Sequence, residues 1–190
     1  MKIACLGWGS LVWDPRELPV QEKWFEDGPF LPIELARQSK DGRLTLVIVE
    51  ENEILVRSLW TLFTVSTIDD ARLALCKREG MPDKNKDRDI HIWPINYIPS
   101  NSITAEIERW ARSLDVTAVV WTGLSPKIKK DDKEENRAPT LVEAISHLHN
   151  LPHEQRRNAE RYIRMTPRQI DTPYRRHFEA EFGWTPLSEI

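Results

Sequence analysis

Cysteine is scarce in this chain. Its 190 residues include two, Cys5 and Cys76, and neither stands in the paired spacing of a zinc site or a redox dithiol. A disulfide framework is thereby excluded, and two buried thiols in a reduced, cytoplasmic setting are expected. Long apolar runs are missing as well. None approaches the roughly 20 residues of a membrane span, and the opening Met-Lys-Ile-Ala-Cys runs directly into folded-looking sequence with no signal-peptide pattern. Excess charge is the third absence. A formal net charge of -3 argues against a dominant nucleic-acid footprint. The expected partners therefore include neither membrane nor nucleic acid. What is present suits one globular domain with a substantial core: 40% hydrophobic and 30% charged residues, with eight tryptophans to serve core and pocket walls.

Periodicity and turn chemistry give the elements. Residues 2–6 read as a short buried strand ending at Gly7, and residues 14–30, anchored by Trp24 and Phe25, as a long ordered loop. A strand over 31–37 leads to a hairpin turn at Asp41-Gly42, the favoured turn dipeptide. RLTLVIVE (43–50) and ILVRSLWTLFTV (54–65) are strands apolar enough to be covered on both faces. At Thr67 the period changes. TIDDARLALCKREG (67–80) has a threonine cap, acids in the first turn, bases in the last, and Gly80 just past the end, which together define a helix. MPDKNKDRD (81–89) reads as an exposed loop and IHIWPINYIP (90–99) as a strand interrupted by Pro94. Residues 102–114 form an amphipathic helix with Ile103, Ile107, Trp110 and Ala111 on one face. DVTAVVWTGL (115–124) is another buried strand, and SPKIKKDDKEENRAP (125–139) a charge-dense loop. Helices follow over 140–149 and 153–165, and the tail, with Pro167, Pro173 and Pro186, is expected to be only partly regular. The pattern predicts an α+β domain with a mostly antiparallel sheet or barrel. It is read as a single domain, 1–190, in which residues 1–125 form the core and 126–190 a charged loop and helical extension.

Two features invite a chemical reading. Glu79 is the last residue before the helix-stopping Gly80. Helix C-termini favour cations, so a carboxylate there is a mild misfit, of the kind a proton-carrying group exploits; the alternative is a solvated glutamate paired with Arg78. The second feature is Gly7-Trp8-Gly9-Ser10, where N–H groups freed at a strand end can cradle an anion, or simply make a turn. It lacks the third glycine of a dinucleotide fingerprint and the Gly-Lys-Ser/Thr of a phosphate loop. Metal binding by His147, His149 and His153 is disfavoured because Pro152 separates the second from the third. Arg156, Arg157, Arg161, Arg164 and Arg168, mixed with Glu154 and Glu160, read as a salt-bridged solvated face.

Taken together, two segments resemble a known family. GWGSLVW (residues 7–13) is similar to the Tyr-Gly-Ser-Asn/Leu loop that opens gamma-glutamyl cyclotransferase-like proteins, especially the glutathione-degrading branch. LCKREG (75–80) resembles that superfamily's Leu-Asp-x-x-Glu-Gly segment, whose glutamate is catalytic. The order agrees, and the likeness covers residues 1–82, extending more loosely to about 125. Trp8 stands where the family usually has tyrosine, and Cys76 where it has aspartate. The resemblance implies an α+β fold of the gamma-glutamyl cyclotransferase-like type, a mixed β-barrel with flanking helices. It also implies cofactor-independent release of 5-oxoproline from a small gamma-glutamyl amine, peptide or conjugate. Glu79 would be the catalytic residue and Gly7, Trp8, Gly9, Ser10 and Leu11 the substrate-binding loop, with no metal. The rival expectation is a catalytically silent binding or regulatory module of the same fold.

Overall fold

A computed structural model of the chain describes residues 1–94, 101–130 and 133–187. The first half contains strand β1 (Ile3–Gly7), the single-turn helix α1 (Ser10–Trp13), strands β2 (Phe30–Leu31), β3 (Ile33–Gln38), β4 (Leu44–Ile48), β5 (Val56–Arg57) and β6 (Leu59–Leu62), and helix α2 (Ile68–Arg78). The second half contains the short helix α3 (Lys86–Asp89), β7 (Ile90–Pro94), α4 (Ser102–Ser113), β8 (Ala118–Thr122), β9 (Ile128–Lys130), β10 (Lys133–Glu135), α5 (Leu141–His149), α6 (His153–Met165) and α7 (Pro173–Phe182). The fold is α+β, and no helix among the described residues is long and apolar enough to cross a membrane. The chain divides into two compact units: Met1–Gly7, Asp14–Leu31 and Arg57–Leu124 make up the first, and Trp8–Trp13, Pro32–Val56 and everything from Ser125 the second.

The first unit is built on a four-stranded sheet in the order β6-β1-β8-β7, with β1 antiparallel to β6, parallel to β8, and β8 antiparallel to β7. Every residue of β1 is buried, as expected of a central strand covered on both faces. Helix α2 packs on β7 and β8 and buries Ala71, Leu75 and Cys76. Helix α4 is capped by Asn101 in a capping box with Thr104 and buries Ile103, Ile107, Trp110 and Ala111, the face its spacing predicts. The long loop 14–30 is ordered because it borders the edge strand. Val20 bridges Phe63, Phe25 bridges Trp60, and the Phe25 and Trp60 rings stack at 4.7 Å. A covered edge removes a site for intermolecular strand pairing. The sheet is open, ending in β6 and β7, and no closed barrel forms among the described residues.

Three readings are corrected here. The run 54–65 is not one strand: it breaks at Ser58, whose N–H and hydroxyl both donate to the Pro29 carbonyl (3.1 and 2.8 Å) while its own carbonyl accepts from Gly28 N–H. Residues 31–37 likewise split at Pro32, which has no N–H for a ladder. The loop at 81–89 contains a 3-10 turn (Asp83–Asn85) followed by α3. Of the strand read over 90–99, Ile90–Pro94 is β7, and 95–99 lie outside the described residues.

The second unit holds the β3–β4 hairpin, its turn made by Gly42 at φ +83°, a left-handed conformation that glycine adopts without steric cost. The charge-dense stretch expected as loop contains a second hairpin, β9 against β10. The tail is more regular than its prolines suggest. Pro173 stands in the first turn of α7, where a missing N–H costs nothing, Thr172 caps the helix, and Gly183 ends it at φ +70°.

Helix α7 starts against a buried carboxylate. Glu34, 3% exposed, accepts from the Thr172 hydroxyl (2.5 Å), Leu35 N–H (2.8 Å) and Tyr174 N–H (3.2 Å). Burial is the largest influence and raises its pKa above the ordinary 4.5, with the three hydrogen bonds opposing. A raised folded-state pKa means the folded chain holds the proton more tightly than the unfolded one. Stability is therefore expected to fall as pH climbs from 4.5 through the raised value, and to level off above it. Urea unfolding of wild type and Glu34→Gln across that range tests this: the variant should lack the slope, and an identical slope would assign it to other groups.

Candidate active site

Glu79 is the C-cap residue of α2. Its N–H donates to the Leu75 carbonyl (3.0 Å), that of Gly80 donates to the Lys77 carbonyl (2.9 Å), and Gly80 turns the chain away at φ +66°. The carboxylate accepts from Arg78 Nη1 at 2.7 Å, with the Arg78 side chain 6% exposed and that of Glu79 21%. Arg78 also donates from Nη2 to the Asp14 carbonyl (2.6 Å), and Arg16 Nη1 reaches the Arg78 carbonyl (3.4 Å). Arg16 is held at φ +54°, a conformation uncommon outside glycine. Two guanidinium groups thus stand at the negative end of α2, where cations are favoured. They offset the misfit of a terminal glutamate, and Arg78 fixes the direction of its carboxylate. Both the solvated-pair reading and a pre-oriented acid–base group begin from this contact.

The negative charge of Glu79 is felt at Cys5 on β1, two residues before Gly7. Burial raises the Cys5 thiol far above its ordinary value, the Glu79 carboxylate adds to that rise, and Arg78 opposes it. Cys5 is wholly buried, so it is a packing residue and no candidate nucleophile. Cys76 is also buried, its thiol within 3.6 Å of both the Met81 and Pro82 carbonyls, where it ties down the chain that follows Gly80.

Of the expected site, Glu79 and Gly7 fall in the first unit, and Trp8, Gly9, Ser10 and Leu11 in the second. Gly7 is the last paired residue of β1, opposite Leu59. Trp8 is 6% exposed, and its indole N–H donates to the Leu46 carbonyl at 3.1 Å, which satisfies its one polar group. Ser10 opens α1, a single turn closed by Val12 N–H to the Gly9 carbonyl (2.9 Å), and Leu11 is its buried residue. Gly9 owes its identity to a close approach: a Cβ there would lie 2.5 Å from the Tyr162 hydroxyl oxygen. That hydroxyl accepts from Leu46 N–H (3.2 Å), and the Tyr162 ring meets Trp13 edge-on at 5.5 Å. Tyr162 therefore holds the loop and strand β4 together within the second unit.

Gly9→Ala is expected to cost about 1–3 kcal/mol through overpacking. In Tyr162→Phe the obstructing oxygen is gone, so the double variant should lose less than the two single losses summed. Additive losses in a denaturant-melt cycle would place the clash elsewhere.

Sequence reading passed over Arg16 and Tyr162; it named Arg78 as the partner of Glu79 but not its bond to the Asp14 carbonyl. Tyr162 had a signal: Ala159, Tyr162, Ile163 and Thr166 repeat at helical spacing and are all buried, a stripe hidden among the arginines of α6. Those arginines behave as a decorated face. Arg164 pairs with Glu160 at 2.8 Å, and Arg156 lies over the rings of Phe182 and Trp184. The histidines go to separate partners, His147 to the Gly42 carbonyl (2.6 Å) and His149 to Glu181 (2.9 Å). Among the described residues no three His, Cys, Asp or Glu side chains converge as a metal set would. Compared with known proteins, the chain matches no family model, no curated protein and no solved structure.

Proposed function

We propose that the chain is a gamma-glutamyl cyclotransferase-like enzyme that releases 5-oxoproline from a small gamma-glutamyl amine, peptide or conjugate. One observation carries the reading. Glu79, clamped by Arg78 at the end of α2, lies near enough to β1 for its charge to be felt at Cys5, two residues before Gly7, so the glutamate and the first residue of the loop motif share a unit of structure. The proposed fold is an α+β fold of that family's type, although the closed barrel it implies does not form among the described residues.

The chemistry asks for little machinery. A gamma-glutamyl group carries its own nucleophile, the α-amine, within reach of the γ-carbonyl. Glu79 takes a proton from the α-ammonium, and the free amine attacks the γ-carbon to close a five-membered lactam. The bond to the attached amine breaks as Glu79 returns the proton to that leaving nitrogen, and the surplus proton on the ring nitrogen then passes by way of Glu79 to the released amine, which departs as an ammonium ion. Backbone N–H groups of the loop formed by Gly7, Trp8, Gly9, Ser10 and Leu11 hold the α-carboxylate. Because the nucleophile is already tethered to its carbonyl, the entropy that a bimolecular reaction would have to lose, about 7–11 kcal/mol, does not have to be supplied by the protein. The test is a panel of gamma-glutamyl compounds assayed for 5-oxoproline. Turnover of at least one, lost in Glu79→Gln, is expected; no turnover across the panel would sink the assignment.

The Arg78–Glu79 pair also favours a second reading, in which the carboxylate serves only as that arginine's partner and the fold binds a ligand without turning it over. A gamma-glutamyl compound that raises the melting temperature while releasing no 5-oxoproline would establish that reading instead.

A further inference from the structure

The second unit contains a recess of about 450 Å³ that no part of the proposed reaction uses. Its walls come from the β3–β4 turn, the β9–β10 hairpin, the end of α5 and the start of α6. Glycine at 42 lets the turn pack closely against Leu151 and Gln155, since a Cβ there would lie 2.8 Å from both Gln155 Oε1 and Leu151 Cδ2. His147, bonded through Nε2 to the Gly42 carbonyl at 2.6 Å, ties α5 to the turn and forms one wall.

The chemistry of the lining is one-sided. Among the described residues of the lining, Lys40, Lys127 and Lys129 carry positive charge and Glu134 carries negative charge. Lys127, 19% exposed at its side chain, donates to Glu134 at 2.7 Å. The field reaches Glu134, whose carboxyl is held below its ordinary value by Lys127 first, with Arg37 and Lys129 adding to the effect. Gln38 Oε1 accepts Lys129 N–H (2.9 Å), which fixes the orientation of the amide whose nitrogen carries two N–H donors. The recess is thus concave, rich in donors and carries more positive than negative charge, and its size is that of a small-molecule site.

We propose that this recess binds a small dianion, a molecule presenting two phosphate-type or carboxylate groups to Lys40, Lys127 and Lys129. Phosphate and carboxylate sources share that chemistry, and the experiment separates them. Pyrophosphate and glutarate are titrated into the full chain at 0.15 M sodium chloride, and the His147 ring protons are followed by NMR. At least one should saturate, with Kd of about 1 mM or tighter, and shift the His147 resonances; which one does so identifies the source. Lys40→Gln/Lys129→Gln, two exposed positions, should weaken binding at least tenfold without changing the melting temperature. Lys2→Gln, in the other unit, should leave it unchanged. Shifts that do not saturate, or that survive in the double variant or vanish in Lys2→Gln, would overturn the proposal. Release of 5-oxoproline does not enter this readout, so the site and the proposed reaction stand or fall separately.

Discussion

Glu79→Gln is expected to lower the rate of 5-oxoproline release by about 10²–10⁴, the usual contribution of a positioned acid–base group. At about 1.4 kcal/mol per factor of ten this corresponds to roughly 3–5 kcal/mol of lost transition-state stabilisation. The substitution keeps the side chain's length and an oxygen that can still accept from Arg78 Nη1, which in the wild type lies 2.7 Å away. It removes the charge and the capacity to carry a proton. The fall should lie in kcat, with KM little changed, since the amides of the 7–11 loop and not Glu79 are proposed to hold the ground state. Stability has to be measured alongside. Arg78 is almost wholly buried, and replacing its anionic partner with a neutral one costs part of a charge-assisted hydrogen bond, about 1–3 kcal/mol. A variant that melts lower yet keeps its rate would show that Glu79 serves Arg78 and not the substrate. Glu79→Asp, with the charge kept and the carboxylate withdrawn by one methylene, should be intermediate in rate.

The candidate site was legible in part because its signals are local. Thr67, Asp69, Asp70, Lys77, Arg78 and Gly80 mark both ends of α2 without reference to anything distant, so the cap position of Glu79 follows from sequence. The same holds for the face of α4 and for the Gly42 turn. Long-range contacts account for what was missed. Arg78 reaches the Asp14 carbonyl 64 positions away and Tyr162 meets Leu46 N–H across 116; no periodicity encodes such pairings. Trp8 shows the same limit from the other side. Its neighbours in sequence suggest a turn exposed to a ligand, while its indole is satisfied by a strand 38 residues on.

The misread elements share a different cause: a local rule overridden by its surroundings. Ser58 sits in an apolar run with strand character, but Gly28 and Pro29 capture its polar groups and divert the chain. Charge density at 125–139 suggested a loop, yet a hairpin edge tolerates lysine and glutamate well, and Lys127 pairs with Glu134 across it. Prolines in the tail suggested irregularity, although one of them begins a helix.

That tail makes the second large prediction. Arg175, on α7, is 1% exposed. Its guanidinium donates to the carbonyls of Thr166 (2.8 Å), Pro167 (2.7 Å) and Ile170 (3.0 Å), and to the Glu179 carboxylate (3.1 Å). One side chain thus satisfies the backbone of the turn between α6 and α7, a segment with no ladder or helix of its own to do so. Arg175→Met is expected to cost about 3–5 kcal/mol, because three carbonyls and a carboxylate lose their donor while the apolar replacement recovers only packing. Against a total stability of about 5–15 kcal/mol, this is enough to shift a urea midpoint far or to unfold the chain at 37 °C. Arg175→Lys keeps the charge but offers a single nitrogen in place of a planar fork, and so cannot reach three separated carbonyls at once; it should recover less than half of the loss. The two variants separate geometry from charge. Near-equal stability of Arg175→Lys and wild type would mean that the cation alone is required, whereas a loss below about 1 kcal/mol in Arg175→Met would mean that water takes over the carbonyls and that the fork is dispensable.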